Sequence, residues 1–155
     1  MTRIQIDWQL APEGLDDAGV AAAARAAVAQ GDREVSELSI ALVNDPTLAE
    51  LHGRYLDDPS VTDVMSFDVT PGPESAPLVG EIVVSVDRAR AVAARRGVRL
   101  DYELALYVVH GTLHLCGFDD IEADDRSAMR AAERRALAAL GYPLESAPHE
   151  EPPLD

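Results

Sequence analysis

The sequence predicts an α/β fold of the α+β kind, a small mixed β-sheet with helices packed on it, in one domain. Three observations predict it. The chain has 155 residues, about the length of a single domain and enough to bury a core without cross-links. Hydrophobic residues make up 47%, and there is one cysteine, which excludes an internal disulfide framework. Short apolar runs with strand character alternate with longer stretches of helical period.

The elements follow in order. Arg3–Gln9 alternates Ile4, Ile6 and Trp8 with polar neighbours and reads as a strand. Asp16–Gln30 is Ala-rich, with Asp16 or Asp17 to cap its start and Gly31 its end, and reads as a helix. Glu37–Asn44 holds the apolar run Ile40–Val43, short enough for a buried strand. Asn44 or Asp45 can cap a helix with Pro46 in its first turn, running to about Tyr55. A polar loop, Leu56–Thr62, leads to a short strand at Asp63–Val69. Three prolines make Thr70–Pro77 a turn or loop, and Leu78–Val86 is a further strand with Gly80 as a candidate bulge. Asp87–Arg96, Tyr102–Cys116 and Asp124–Leu140 read as helices stopped by Gly97, Gly117 and Gly141. The expected domain is therefore 1–142, with an acidic, proline-rich disordered tail over 143–155.

The charge is lopsided. Asp and Glu total 28 against 13 basic residues, all of them Arg, for a net charge of −15. Such a chain is unsuited to loose, whole-surface binding of nucleic acid or anionic lipid, although a local basic patch can still bind phosphate. Apolar stretches such as Leu104–Val109 fall far short of the roughly 20 residues needed to span a bilayer, so no membrane partner is expected. Asp7 interrupts the apolar run a signal peptide would need, and the expected location is the cytoplasm.

The chemistry concentrates in Val108–Asp120, VVHGTLHLCGFDD. His110 and His114 stand four apart, one above the other on a helix face, where two imidazoles can grip one divalent ion. Gly117 permits the helix to stop and the chain to return. Asp120 lies ten positions after His110, the third-ligand spacing of the long zinc-protease motif H-E-x-x-H-x-x-G-x-x-H, with the glycine also in register. Zinc accepts a carboxylate there. The protease's general base, one residue after the first His, is replaced by Gly111.

At these residues the chain resembles the YbeY family of metal-dependent endoribonucleases and rRNA maturation factors. Its signature H-G-x-L-H-L-x-G-[YF]-D-H stands here as His110, Gly111, Leu113, His114, Leu115, Gly117, Phe118 and Asp119, followed by Asp120. A second block, T-[DN]-V-[LM]-S-F, stands at Thr62–Phe67, and a third, L-x-G-[DE]-[IL]-V, at Leu78–Val83; their order and separation match the family, so the resemblance covers roughly Ile40 to Leu140. The resemblance implies a compact fold with a zincin-like metal helix, one zinc ion held in a channel, and a role in 16S rRNA 3′-end maturation and ribosome quality control. RNA, as a 16S rRNA precursor or the ribosome, is the implied partner, with ribosomal proteins or an assembly GTPase beside it.

Two departures stand out. The third metal histidine of the family is Asp120 here. The Arg that many members carry after the Tyr preceding the second block is Leu56, and Arg54 lies on the other side of Tyr55. Leu cannot stabilise phosphate charge, so Arg54 or another Arg takes that role, or activity is weakened. The expected ligands are His110, His114 and Asp120, with His110, His114 and Arg54 carrying catalysis. Asp119 would orient a histidine, and Ser66 would hydrogen-bond near the metal.

Elsewhere, Arg88, Arg90, Arg95, Arg96 and Arg99 form a basic island. They suit RNA phosphate, with Arg88, Arg95, Arg96 and Arg99 the expected contacts, or else a solvated face with Arg95 and Arg96 favoured by the helix C-terminal dipole. Arg126, Arg130 and Arg134 fit surface ion pairs with Glu122, Asp125 and Glu133. Cys116 points to a different helix face from His114 and reads as a small buried apolar residue. His52 suits a channel lining or a plain surface, and His149 lies in the tail. The leading function is a metal-dependent, single-strand-specific endoribonuclease. The alternatives are a metalloprotease-like hydrolase and a non-catalytic ribosome-assembly factor with a structural metal site.

Overall fold

Rows of apolar side chains run across four strands and are covered on one face by helices. In this computed structural model the described residues are 1–44, 64–73, 75–118 and 122–142. Strands β1 (Arg3–Trp8), β2 (Val35–Val43), β3 (Val64–Asp68) and β4 (Leu78–Ser85) form one sheet in the order β1-β2-β4-β3. β1, β2 and β4 are mutually parallel, and β3 runs antiparallel along the β4 edge. The described helices are α1 (Asp17–Val28), α2 (Val86–Arg96), α3 (Leu100–Leu115) and α4 (Ala123–Ala139). The expected helix reaching to about Tyr55, the loop Leu56–Thr62 and the tail 143–155 lie outside the described residues. None of the described helices is long and apolar enough to cross a membrane.

Period-two alternation sorts each strand onto two faces. Ile6, Ile40, Ile82 and Ser66 make one cross-strand row, and Trp8, Leu42, Val84 and Val64 the next. These rows share the main core with Val20, Ala23, Ala24 and Ala27 of α1, most of α3, and Met129, Ala132, Ala136 and Leu137 of α4. On the opposite face Val43, Met65 and Val83 form a smaller cluster flanked by Ala41 and Phe67.

Local signals set most helix ends. Asp16 accepts a hydrogen bond from the Gly19 N–H at 2.8 Å and caps α1. Ser85 accepts from the Arg88 N–H at 3.0 Å and starts α2 one residue before the expected position, and Gly97 ends it in the left-handed region with φ 69°.

Two glycines do something other than the sequence suggests. Gly31 does not cap α1, which stops at Ala29 with the Ala29 N–H bonded to the Arg25 carbonyl. A Cβ at Gly31 would stand 2.9 Å from Cβ of Cys116, so the glycine admits close approach of the α3 terminus. Gly80 is not a bulge: β4 pairs with β2 in continuous register from Glu37 onward, and the irregularity lies between Val35 and Glu37. Its missing side chain leaves room for Leu115, whose Cδ1 would be 2.7 Å from a Cβ there. Both glycines seat the last turn of α3 against the rest of the protein.

Candidate metal centre

The last two turns of α3 carry the two histidines. From Tyr102 to Cys116 every residue is buried except His110 and His114. A helix enclosed on nearly all sides therefore opens at the two positions able to bind metal. Gly111, between them, faces the sheet: a Cβ there would lie 3.0 Å from Cγ2 of Val64 and 3.1 Å from both Cγ2 of Ile82 and Oγ of Ser66. The hydroxyl of Ser66 donates to the Gly111 carbonyl at 3.0 Å, tying β3 to this turn. Ser66 thus acts on the backbone beside His110.

The two rings meet edge to face, with centroids 4.6 Å apart and planes at 83°. Nε2 of His110 lies 3.1 Å from Nε2 of His114. A tetrahedral zinc ion with nitrogen ligands at about 2.0–2.1 Å holds them about 3.3–3.4 Å apart. The two nitrogens already converge at nearly that separation, so this donor pair fits a divalent ion.

α3 stops just beyond. Gly117 takes φ 102°, and the Phe118 N–H bonds to the Leu113 carbonyl at 3.0 Å, turning the chain back over the helix end. The expected third ligand, Asp120, its neighbour Asp119, and Arg54 all lie outside the described residues. Among the described residues no group of three His, Cys, Asp or Glu that could hold a metal is formed.

The structure adds a residue that sequence spacing places at the surface. Glu133 of α4 is completely buried, and its Oε2 lies 2.6 Å from Nδ1 of His110. The Arg130 guanidinium, one turn earlier, is 3.6 Å from the other carboxylate oxygen. Glu133 is therefore no surface ion pair. The signal was available: it falls on the stripe Met129, Ala132, Ala136 and Leu137, which faces the core.

The basic island divides. Arg96 is withdrawn into an ion pair with the buried Glu103 of α3, at 2.5 Å and with side-chain exposures of 10% and 0%. Arg90 pairs with Glu13 and Asp87, and Arg99 with Asp101 at 2.9 Å. Arg95 is exposed and Arg88 half-buried. Arg99 precedes α3, and His110 and His114 lie about 16–22 Å from it along the helix axis.

Cys116 is buried, as expected, and burial pushes its thiol up from the ordinary range, against a smaller opposite pull from Arg33. Arg33 itself reaches Asp68 at 3.1 Å and the Leu115 carbonyl at 3.4 Å.

The model of the family described as Endoribonuclease YbeY matches residues 12–141. An Endoribonuclease YbeY of Mycolicibacterium smegmatis is 42% identical over 111 residues, 66% of this chain and 62% of that protein. One of Mycobacterium bovis is 39% identical over 136 residues, 80% of this chain and 77% of that protein. The chain thus spans less than two thirds of the first of these relatives. A solution structure of a Thermotoga maritima protein superposes with a TM-score of 0.59 at 18% identity, covering 98% of this chain and 100% of the other, and shares the fold.

Proposed function

The chain belongs to the YbeY endoribonuclease family, and from that premise we propose that it is a metal-dependent, single-strand-specific endoribonuclease acting in 16S rRNA 3′-end maturation and ribosome quality control. The observation that carries the metal dependence is the 3.1 Å approach of the two Nε2 atoms, at the two positions between Tyr102 and Cys116 that are not buried. His110 and His114 would hold a zinc ion, with Asp120 as third ligand. The bound ion supplies electrostatic stabilisation to a phosphodiester oxygen and lowers the pKa of water.

The protein's own residues do the rest. His110 and His114 are held by a helix that is walled in on both sides of them, so their geometry does not have to be assembled when substrate arrives. Gly111 is closed off by Val64, Ile82 and Ser66, and a carboxylate base at this position, as peptidases of similar spacing require, has no space. That crowding favours phosphodiester over peptide chemistry. Arg54 is the candidate for phosphate charge near the reacting bond, and Arg88, Arg95 and Arg99 for more distant RNA backbone. The ribosome, its proteins and an assembly GTPase are the proposed partners, in the cytoplasm.

The test is cleavage of a single-stranded RNA, the same sequence as a duplex, and casein, each with chelator and with zinc restored. Cleavage of the single strand alone, lost with chelator and regained with zinc, is expected. His114→Ala should abolish it while retaining helix content. Casein cleavage would establish the peptidase reading. Zinc binding without any cleavage would establish the structural-metal reading.

A further inference from the structure

We propose that Glu133 is the positioning residue of this site: it fixes the ring and tautomer of His110, with the Arg130 guanidinium as countercharge to its other oxygen. The inference rests on reading the histidine pair as a metal site and assigns α4 a part in it.

Glu133 has no packing reason to be where it is. Its neighbours on the buried stripe of α4 are Met129, Ala132, Ala136 and Leu137, and its side chain is 0% exposed. A buried carboxylate costs several kcal/mol unless it is paired and hydrogen-bonded. The pairing it has is directed. Oε2 stands 2.6 Å from Nδ1 of His110, at the short end for a charge-assisted bond. A carboxylate only accepts, so Nδ1 carries the hydrogen, and in the neutral ring Nε2 then keeps its lone pair. Nε2 is the atom that meets His114.

A hydrogen bond at the far nitrogen is how the near nitrogen of a metal-binding imidazole is aimed. Without Glu133 the ring can exchange tautomers and rotate, and only part of the population presents Nε2. Arg130 supplies the opposing charge. Its side chain is 19% exposed and its guanidinium is 3.6 Å from Oε1, so the carboxylate is drawn from one side while it accepts from His110 on the other. Glu133 touches neither substrate nor metal.

The experiment uses the full chain. The ring tautomer of His110 is read by long-range ¹H–¹⁵N NMR after chelator treatment, and zinc affinity is read by competition with a chromophoric chelator. The parent should show hydrogen on Nδ1. Glu133→Gln, whose amide oxygen can still accept, should keep that tautomer and bind zinc within a few-fold of the parent. Glu133→Ala should give mixed tautomers and zinc binding weaker by roughly 10–100-fold. Parent-like tautomer and affinity in a folded Glu133→Ala would overturn the proposal. If that variant does not fold, Glu133→Asp decides. A retracted carboxylate should shift the tautomer and weaken zinc, and parent-like values in both would again overturn the proposal. A parent that fails to bind zinc, while its His110 tautomer still responds to Glu133, would sink the metal reading and leave the positioning role standing.

Discussion

The hydroxyl of Ser66 donates to the carbonyl of Gly111 at 3.0 Å, and that oxygen would lie 3.1 Å from a side chain added to the same glycine. One contact therefore joins β3 to the metal helix and limits what can follow His110. Gly111→Ala gains about 1 kcal/mol of helix propensity. It also crowds Val64, Ile82 and Ser66, which stand on two strands and cannot all yield in one direction. Overpacking costs about 1–3 kcal/mol, so a net loss of about 1 kcal/mol is expected, read as a lower urea midpoint. Gly111→Glu should cost far more and create no casein cleavage. A Glu variant as stable as the parent would contradict the closed wall.

The two neighbouring arginines Arg95 and Arg96 should separate in behaviour. Arg96 balances the fully buried Glu103, so Arg96→Ala should destabilise the protein by about 3–5 kcal/mol. Arg95 is exposed, and Arg95→Glu should leave stability within about 0.5 kcal/mol while weakening binding of a single-stranded RNA most at low salt. Urea melts and a salt series of RNA affinities check both halves. Equal stability losses in the two variants would mean that Arg96 is not buried as described.

What was legible in the sequence was local. His110 and His114 share a helix face by spacing alone, and alternation in β1 and β2 reveals which side is buried. What escaped depends on packing between distant segments. Gly31 and Gly80 look like a cap and a bulge, but their empty space is filled by Cys116 and Leu115, which no local rule can see. Glu133 has Arg130 and Arg134 close by in sequence, which suggested a solvated pair, whereas its partner His110 lies 23 residues away. An acid placed on the Met129–Leu137 stripe contradicts its own helix pattern, and such contradictions are where a buried functional group can be sought.

Tyr142 offers a test by pH. Burial, and then the charge of Asp101 with its hydrogen bond at 3.3 Å, push the phenol up from 10.0 to about 12. The folded state holds this proton more tightly than the unfolded one. Its contribution to stability is thus complete below pH 10 and is lost as pH rises towards 12. Absorbance at the phenolate band should lose one late-ionising tyrosine when Tyr142→Phe is compared with the parent. A parent whose stability is flat across that window would contradict the placement of Tyr142 against Asp101 and Tyr102.

The third ligand is decided by metal titration. Asp120 stands ten residues after His110, where the resemblance expects histidine, and Asp119 is its neighbour. A carboxylate is a harder donor than imidazole and carries charge. Two neutral imidazoles and one carboxylate leave a divalent ion with one net positive charge, whereas three imidazoles leave two. The lower charge acidifies water less and moves preference from zinc towards manganese or iron(II), although zinc still binds such sites well. Asp120→His should therefore keep or tighten zinc binding and raise its advantage over manganese. Asp120→Ala should loosen zinc, and Asp119→Ala should loosen it less, through the orientation of a histidine alone. Zinc bound as tightly by Asp120→Ala as by the parent, with loss in Asp119→Ala, would move the ligand one residue back along the chain.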